Sequence, residues 1–310
     1  MHNGQWLMVN EMQTKVSVII PAYNSAQFIA ETIRSVLAQT YGNFEIVVVD
    51  DGSTDATLDV LSGFGEQIKL LTKANGGPAS ARNLAIRNSS GAYIAFLDGD
   101  DLWMPEKLAE QVAFLEAHPE VGMTYSEALM FAEVGGEKQI RGQIGFTGET
   151  SFCHLLLGDH IPNSTVMMRR ECLDKIGWLN ESRDLIAVED YEYWMRLAKS
   201  FPIKAIAKPL AYYRVHANNL MGDGEDIERS LRLPIIALNE TEKLFPDCWR
   251  ECGMEKKLLL ARLTIRAGFA YKQRGDWWNC LRKFRQALGH RFNLRVLRWI
   301  VAATLLKRWS

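Results

Sequence analysis

The sequence predicts an α/β domain built on a mostly parallel central sheet with flanking helices, followed by an all-helical C-terminal extension. Three observations predict it. Strand and helix signals alternate four times within the first 117 residues. The strand candidates are unbroken apolar runs, the pattern of a parallel sheet covered by helices on both faces. After Asn219 the strand signals stop, and residues 226–310 are rich in Leu, Arg, Lys and Ala.

The elements follow in order. Residues 1–14 read as a tail. Val16-Ser17-Val18-Ile19-Ile20 is rich in β-branched residues and reads as the first strand. A helical pattern covers about 26–39, and apolar runs at 46–49 and 68–71 read as the second and third strands. Pro78 suits the first turn of a helix, where an N–H has no intrahelical partner. Residues 93–97 form the fourth strand candidate, and a helix starts at Pro105. Beyond it, 121–125, 164–168 and 210–214 read as strands and 189–199 as a helix. Gly142 to Gly158 is punctuated by glycine and reads as a mobile loop. The Met221-Gly222-Asp223-Gly224 turn marks a boundary between a sheet domain at 15–220 and a helical region at 221–310. Ala270-Tyr271, Gly275 and Ala287-Leu288 suggest one helical hairpin without a second copy.

Composition narrows the function classes. Of 310 residues, 47% are hydrophobic and 24% charged, which excludes a disordered or collagenous chain. Thirty-six basic and thirty-seven acidic residues leave a net charge of -1, and no nucleic-acid partner is expected of so balanced a chain. The five cysteines, Cys153, Cys172, Cys248, Cys252 and Cys280, are odd in number and contain no CxxC pair. That argues against a disulfide framework or zinc ribbon and for a reducing compartment. The N-terminus lacks a signal-peptide pattern, and no uncharged run reaches the ~18–20 residues of a membrane span. The expected location is cytoplasmic, with peripheral contact at the membrane face as a further reading.

In open α/β sheets, ligands bind at the carboxyl ends of the strands. The polar clusters of this chain sit there. Asp98-Gly99-Asp100 follows the fourth strand. Two carboxylates one residue apart can converge on a hard cation such as Mg2+ or Mn2+, or they can be an ordinary turn. Asp50-Asp51-Gly52-Ser53-Thr54-Asp55 follows the second strand. One of its acids can accept a hydrogen bond from a nucleobase, while Ser53 or Thr54 can cap the next helix. Pro21-Ala22-Tyr23-Asn24 stands where a dinucleotide-binding chain would carry GxGxxG. Tyr23 can flank a base and Pro21 stiffens the loop.

Asn75-Gly76-Gly77-Pro78 opens a helix with small residues and puts Arg82 one turn inside it. Arg82 reads equally as a nucleotide contact and as a solvated helix residue. Glu189-Asp190 begins a helix, where acids suit the dipole and where one of them can be a general base. His216, in Tyr213-Arg214-Val215-His216, reads as a metal or diphosphate contact or as a structural histidine. The chain lacks GxxxxGK[ST], HExxH and GxSxG.

In this order the motifs resemble the family 2 glycosyltransferases, inverting enzymes with the GT-A nucleotide-diphospho-sugar transferase fold. The resemblance runs from Val18-Ile19-Ile20-Pro21-Ala22-Tyr23-Asn24, through Val49–Asp55, Asn75–Asn83 and Phe96–Asp101, to Ser164–Arg170 and Glu189-Asp190-Tyr191, covering about 15–218. It implies that Asp51 contacts the base, with Pro21 and Tyr23 lining the nucleoside pocket and Arg82 near the nucleotide. Asp98 is implied near the ribose or a metal and Asp100 on a divalent ion (Mn2+ or Mg2+), a site that His216 could complete on its own reading above. Asp190 is implied as catalytic base, with Glu189 supporting it or positioning the acceptor. The implied donor is a nucleoside diphosphate sugar, uridine-linked first. The implied acceptor is a hydroxyl of a glycan or lipid-linked glycan. Segment 142–158 is the candidate lid. The chain departs from the family at Trp178-Leu179, where another glycine and an aromatic often follow Ile176-Gly177.

Two other classes compete. A nucleotidyltransferase would need a basic, glycine-rich triphosphate loop after the first strand, which Pro21–Asn24 does not supply. A non-catalytic scaffold on a decayed transferase fold would have lost acids that are all present here. At the C-terminus, Arg291, Arg295 and Arg298 share a helical face. Residues 290–310 read as an interfacial membrane helix or as a terminal helix packed on its own domain.

Overall fold

The computed structural model describes residues 14–145, 148, 150–216 and 226–290. Among these, nine strands form one sheet: β1 (Val16–Ala22), β2 (Phe44–Asp50), β3 (Lys69–Thr72), β4 (Tyr93–Phe96), β5 (Leu102–Trp103), β6 (Met123–Val134), β7 (Glu137–Ile144), β8 (Met167–Arg169) and β9 (Ile203–Arg214). Their order is β3-β2-β1-β4-β8-β6-β9-β5, with β7 on β6. The four strands expected from the N-terminal alternation form the parallel half, β3-β2-β1-β4. β8 then runs antiparallel to both β4 and β6, and β6 pairs with β9 in parallel.

Unbroken apolar runs arise because both faces are covered. Ile19, Val47, Val49, Ile94 and Phe96 pack on one side with helices Pro78–Arg87, Glu189–Ser200 and Ile227–Leu244. Val18, Ile20, Ile46, Val48 and Ala95 pack on the other with helices Ile29–Leu37 and Lys107–Ala117. Every one of these side chains is buried, and apolar burial at about 25 cal/mol per Å2 is the main stabilising contribution of the layers. Leu233, Ala237, Leu238, Trp249 and Leu259 join the first of these cores, so helical chain after residue 226 shares apolar packing with the sheet.

Three expectations need correction. First, segment 142–158 is not an unstructured mobile loop. Residues 142–144 end β7, which forms a hairpin with β6, and Phe152, Leu155 and Leu156 are core residues. Phe146, Thr147 and Glu149 lie outside the described residues. Second, Cys153 and Cys252 form a disulfide across 99 residues, against the expectation from the cysteine count. So large a separation leaves no local spacing signature. The other three cysteines are free and buried. Third, β9 begins seven residues earlier than its apolar end at 210–214 suggests, because between Ile203 and Leu210 its residues, two lysines and a proline among them, are only half-buried or exposed and leave no apolar run. The 1–13 part of the tail, the Met221–Gly224 turn and residues 291–310 lie outside the described residues. Among those described, no helix is long and apolar enough to cross a membrane.

Candidate active site

The turn after β2 is built around Asp51. Its Oδ1 accepts from Lys73 Nζ at 2.7 Å and from the Gly76 N–H at 3.0 Å. Its Oδ2 accepts from the Gly77 N–H at 2.8 Å. Gly52 is required beside it: its φ is +75°, and a Cβ there would lie 2.8 Å from the Asn75 nitrogen. Asp51 is thus pinned against the loop that opens the Pro78–Arg87 helix. Pro21 lies in β1 opposite Val49, and Tyr23 is 51% exposed just past the strand. Ser53 and Thr54 do not cap a helix. The Asn24 N–H donates to Ser53 Oγ, and the Thr54 N–H donates to Asn24 Oδ1, tying the first two strand ends together.

Arg82 is no solvated helix residue. It is 4% exposed, and its guanidinium bridges two carboxylates. Nη1 donates to Glu189 Oε1 at 2.5 Å and Nη2 to Asp98 Oδ1 at 2.8 Å. Glu189 Oε2 also accepts from the Ala187 N–H at 2.8 Å. Ala187 has φ +78°, a strained backbone for a residue with a Cβ. Asp98 Oδ1 further accepts from Asn163 Nδ2 at 2.7 Å, and the Asp98 N–H donates to Ser164 Oγ. Ser164 in turn donates to Asp101 Oδ2 at 2.5 Å.

The end of β9 closes the arrangement. The Arg214 N–H donates to Asp101 Oδ1, and Arg214 Nε donates to the Asp100 carbonyl at 2.7 Å. Its guanidinium lies between the Phe28 and Phe131 rings and pairs with Glu31 and Glu133. Asp100 Oδ2 and His216 Nε2 are 3.0 Å apart. The carboxylate oxygen is a donor for Mn2+ or Mg2+, and the imidazole nitrogen favours Mn2+ of the two, with oxygens of water or phosphate in the other positions. Among the described residues no three His, Cys, Asp or Glu side chains form a metal cluster. The expected set of Asp98, Asp100 and His216 is therefore not assembled: Asp98 is turned to Arg82 and Asn163, and only Asp100 and His216 stand together as donors for such an ion.

Asp190 follows Glu189, the carboxylate that Arg82 ties to Asp98. Burial pushes the Asp190 carboxyl well above the usual carboxylate range, Glu189 and Asp159 push it further, Arg82 opposes them, and Asp98 adds to the rise. Tyr213 is raised by burial and by the charges of Asp101, Asp100, Asp98 and Asp190. One phenol on β9 therefore feels carboxylates from the end of β4 and from the Glu189–Ser200 helix. Asp51 adjoins the group through Gly77 and the helix that carries Arg82.

Sequence reasoning missed Lys73, Asp101, Asn163, Ser164 and Arg214 as members of this network. Ser164 and Arg214 lay inside motifs already singled out, Asp101 follows Asp100 directly, and Asn163 precedes Ser164. Their partners are 22 to 183 residues away, which no local spacing reveals.

Residues 17–177, which carry the ends of β1, β2 and β4, match the profile of glycosyl transferase family 2. The chain belongs to this family. The UDP-Glc:alpha-D-GlcNAc-diphosphoundecaprenol beta-1,3-glucosyltransferase WfaP of Escherichia coli is 37% identical over 210 residues, covering 66% of this chain and 79% of that one. An uncharacterized glycosyltransferase of Nostoc is 31% identical over 279 residues, 85% of this chain and 84% of its own. Among solved structures, TarS of S. aureus in complex with UDP-GlcNAc superposes with a TM-score of 0.59 at 22% identity, covering 91% and 82% of the two chains. The mannosyltransferase PcManGT of Pyrobaculum calidifontis, in complex with GDP-Man and Mn2+, gives 0.56 at 18% identity, covering 96% and 88%. These two likenesses establish the GT-A fold. This family 2 enzyme is thus a glycosyltransferase whose first four family motifs follow its parallel strands β1 to β4.

Proposed function

We propose that this glycosyltransferase moves a sugar, with inversion, from a nucleoside diphosphate donor to a hydroxyl of a lipid-linked glycan, with Asp190 as general base. The observation that carries the reading is the Arg82 bridge, which ties Asp98 at the end of β4 to Glu189, the neighbour of Asp190, beside the Asp100–His216 pair. Likeness to WfaP supports a uridine diphosphate donor and a diphosphate-lipid-linked acceptor.

The chain's residues have separable tasks. Asp51 faces the base, beside Pro21 and Tyr23, and the Lys73 and glycine N–H groups hold its carboxylate ready. Arg82 fixes Asp98 and Glu189 relative to each other. Asp100 and His216 would hold the ion, which when bound supplies positive charge against the departing diphosphate. Asp190 takes the proton of the acceptor hydroxyl as that oxygen bonds to the anomeric carbon. The bond from that carbon to the diphosphate oxygen breaks on the opposite face, and the nucleoside diphosphate leaves with the electron pair. A carboxyl held above the ordinary carboxylate range is, once ionised, a stronger base than an ordinary carboxylate and suits this role.

The test is a panel of UDP-, GDP- and dTDP-sugars with Mn2+ and a lipid-linked acceptor, scoring nucleoside diphosphate release and product linkage. UDP release with Asp190→Asn inactive but still binding UDP is expected. Full turnover by Asp190→Asn would overturn the base assignment, and a product that retains the donor's anomeric configuration would overturn single displacement.

A further inference from the structure

Charge is segregated along this chain. Residues 256–310 hold fourteen of the thirty-six lysines and arginines but only one of the thirty-seven acids, Asp276. Residues 1–255 hold the other twenty-two bases and thirty-six acids. The balanced total conceals an acidic catalytic part joined to a strongly basic C-terminal stretch.

The described part of that stretch is a helical hairpin, Lys256–Gln273 and Trp277–His290, turning at Gly275 with φ +74°. Its inner face is closed: Cys280, Leu281, Phe284 and Ala287 are buried, and Phe284 packs so near Gly268 that a Cβ there would lie 2.5 Å from its ring. Its outer faces carry the charge. Arg262 and Arg266 are exposed one turn apart, in line with Leu258, which is 40% exposed. On the second helix Trp278, 67% exposed, shares a face with Arg282 and Arg285. Arg282 and Lys283 pair with Glu228 and Lys256 with Glu242, while Arg262, Arg266 and Arg285 have no acidic partner among the described residues. The lone acid is engaged locally, since the Asp276 carboxylate accepts from the Asn279 N–H and side chain.

We propose that this hairpin is a docking surface for an anionic lipid bilayer. Unpaired cations interleaved with an exposed tryptophan and leucine match an anionic surface with an apolar layer beneath it. A nucleic-acid duplex would meet the cations with its phosphates but would offer no apolar layer for the exposed leucine and tryptophan. The acidic remainder of the enzyme is repelled by the same bilayer, so charge sets the orientation as well as the attraction. The inference rests on the proposed lipid-linked acceptor only for its purpose, which is to hold the active site where that acceptor lies.

The test uses the full chain and vesicles of phosphatidylcholine, with or without phosphatidylglycerol, in co-sedimentation at low and high salt. Binding to the anionic vesicles only, and its loss at high salt, are expected. The Arg262→Glu/Arg266→Glu double variant should bind anionic vesicles at least roughly tenfold more weakly, and so should Trp278→Ala. Both should keep wild-type melting temperatures and wild-type donor hydrolysis in solution. Arg262→Gln/Arg266→Gln gives an intermediate loss and serves if charge reversal disturbs folding. Equal pelleting with neutral vesicles, wild-type pelleting of every variant, or tighter binding to duplex DNA than to anionic vesicles overturns the proposal. Vesicle binding is read without turnover and the donor panel without vesicles, so failure of either leaves the other standing.

Discussion

Replacing Arg82 with methionine keeps most of its volume and removes its charge. Two carboxylates then lose their partner. Glu189 is buried and keeps only the Ala187 N–H, whereas the Asp98 side chain is 32% exposed and can recruit water. Breaking a buried pair by removing one partner costs about 3–5 kcal/mol, and the more exposed arm adds at most about 1 kcal/mol. The expected loss is therefore about 4 kcal/mol, a large share of the roughly 5–15 kcal/mol that holds a domain folded. Urea unfolding followed by tryptophan fluorescence measures it. Adding Glu189→Gln removes the stranded charge, so the double variant should recover about 2 kcal/mol relative to additivity. A loss under about 1 kcal/mol for Arg82→Met, or strict additivity in the cycle, would show that the bridge is open in solution and that Arg82 does not organise the site.

Three further outcomes are expected. The acid limb of kcat/KM should break above the ordinary carboxylate range, because burial, Glu189 and Asp159 raise Asp190 and the base must be ionised; Asp159→Asn removes a negative neighbour and should move the break to lower pH, measured by initial rates across a pH series. Glu45 is pushed up by burial, yet hydrogen bonds from the Ser90 N–H, the Ser17 hydroxyl and Lys15 hold it at about 2, below its ordinary 4.5. Its contribution to stability is thus complete above pH 4.5 and fades as pH falls toward 2, so Glu45→Gln should flatten that part of the urea-midpoint profile. Gly52→Ala forces a Cβ toward the Asn75 nitrogen at positive φ and should cost about 2 kcal/mol, with weaker UDP binding by calorimetry because the Asp51 loop shifts.

The parallel strands were legible because burial on both faces demands unbroken apolar runs, and these are local. The acids at their ends were legible because an α/β sheet presents its strand ends to ligands. The β6–β7 hairpin was not: β7 is exposed along almost its whole length, so no apolar pattern marks it. Nor was Arg214, whose arginine looks like any other until β9 lays it between two phenylalanine rings and under the Asp100 carbonyl.

Local sequence by itself determined the succession of strands and helices, the family motifs and the segregation of positive charge into the last fifty-five residues. Those depend on residue type, short-range periodicity and simple counting. Only the tertiary structure decided that Asp51 is held by Lys73 and two glycine N–H groups, that Arg82 bridges Asp98 to Glu189, and that Cys153 meets Cys252. Each of those contacts joins residues far apart in the chain. Such contacts form because packing the two apolar layers leaves these polar groups facing one another away from water, where each must find a partner.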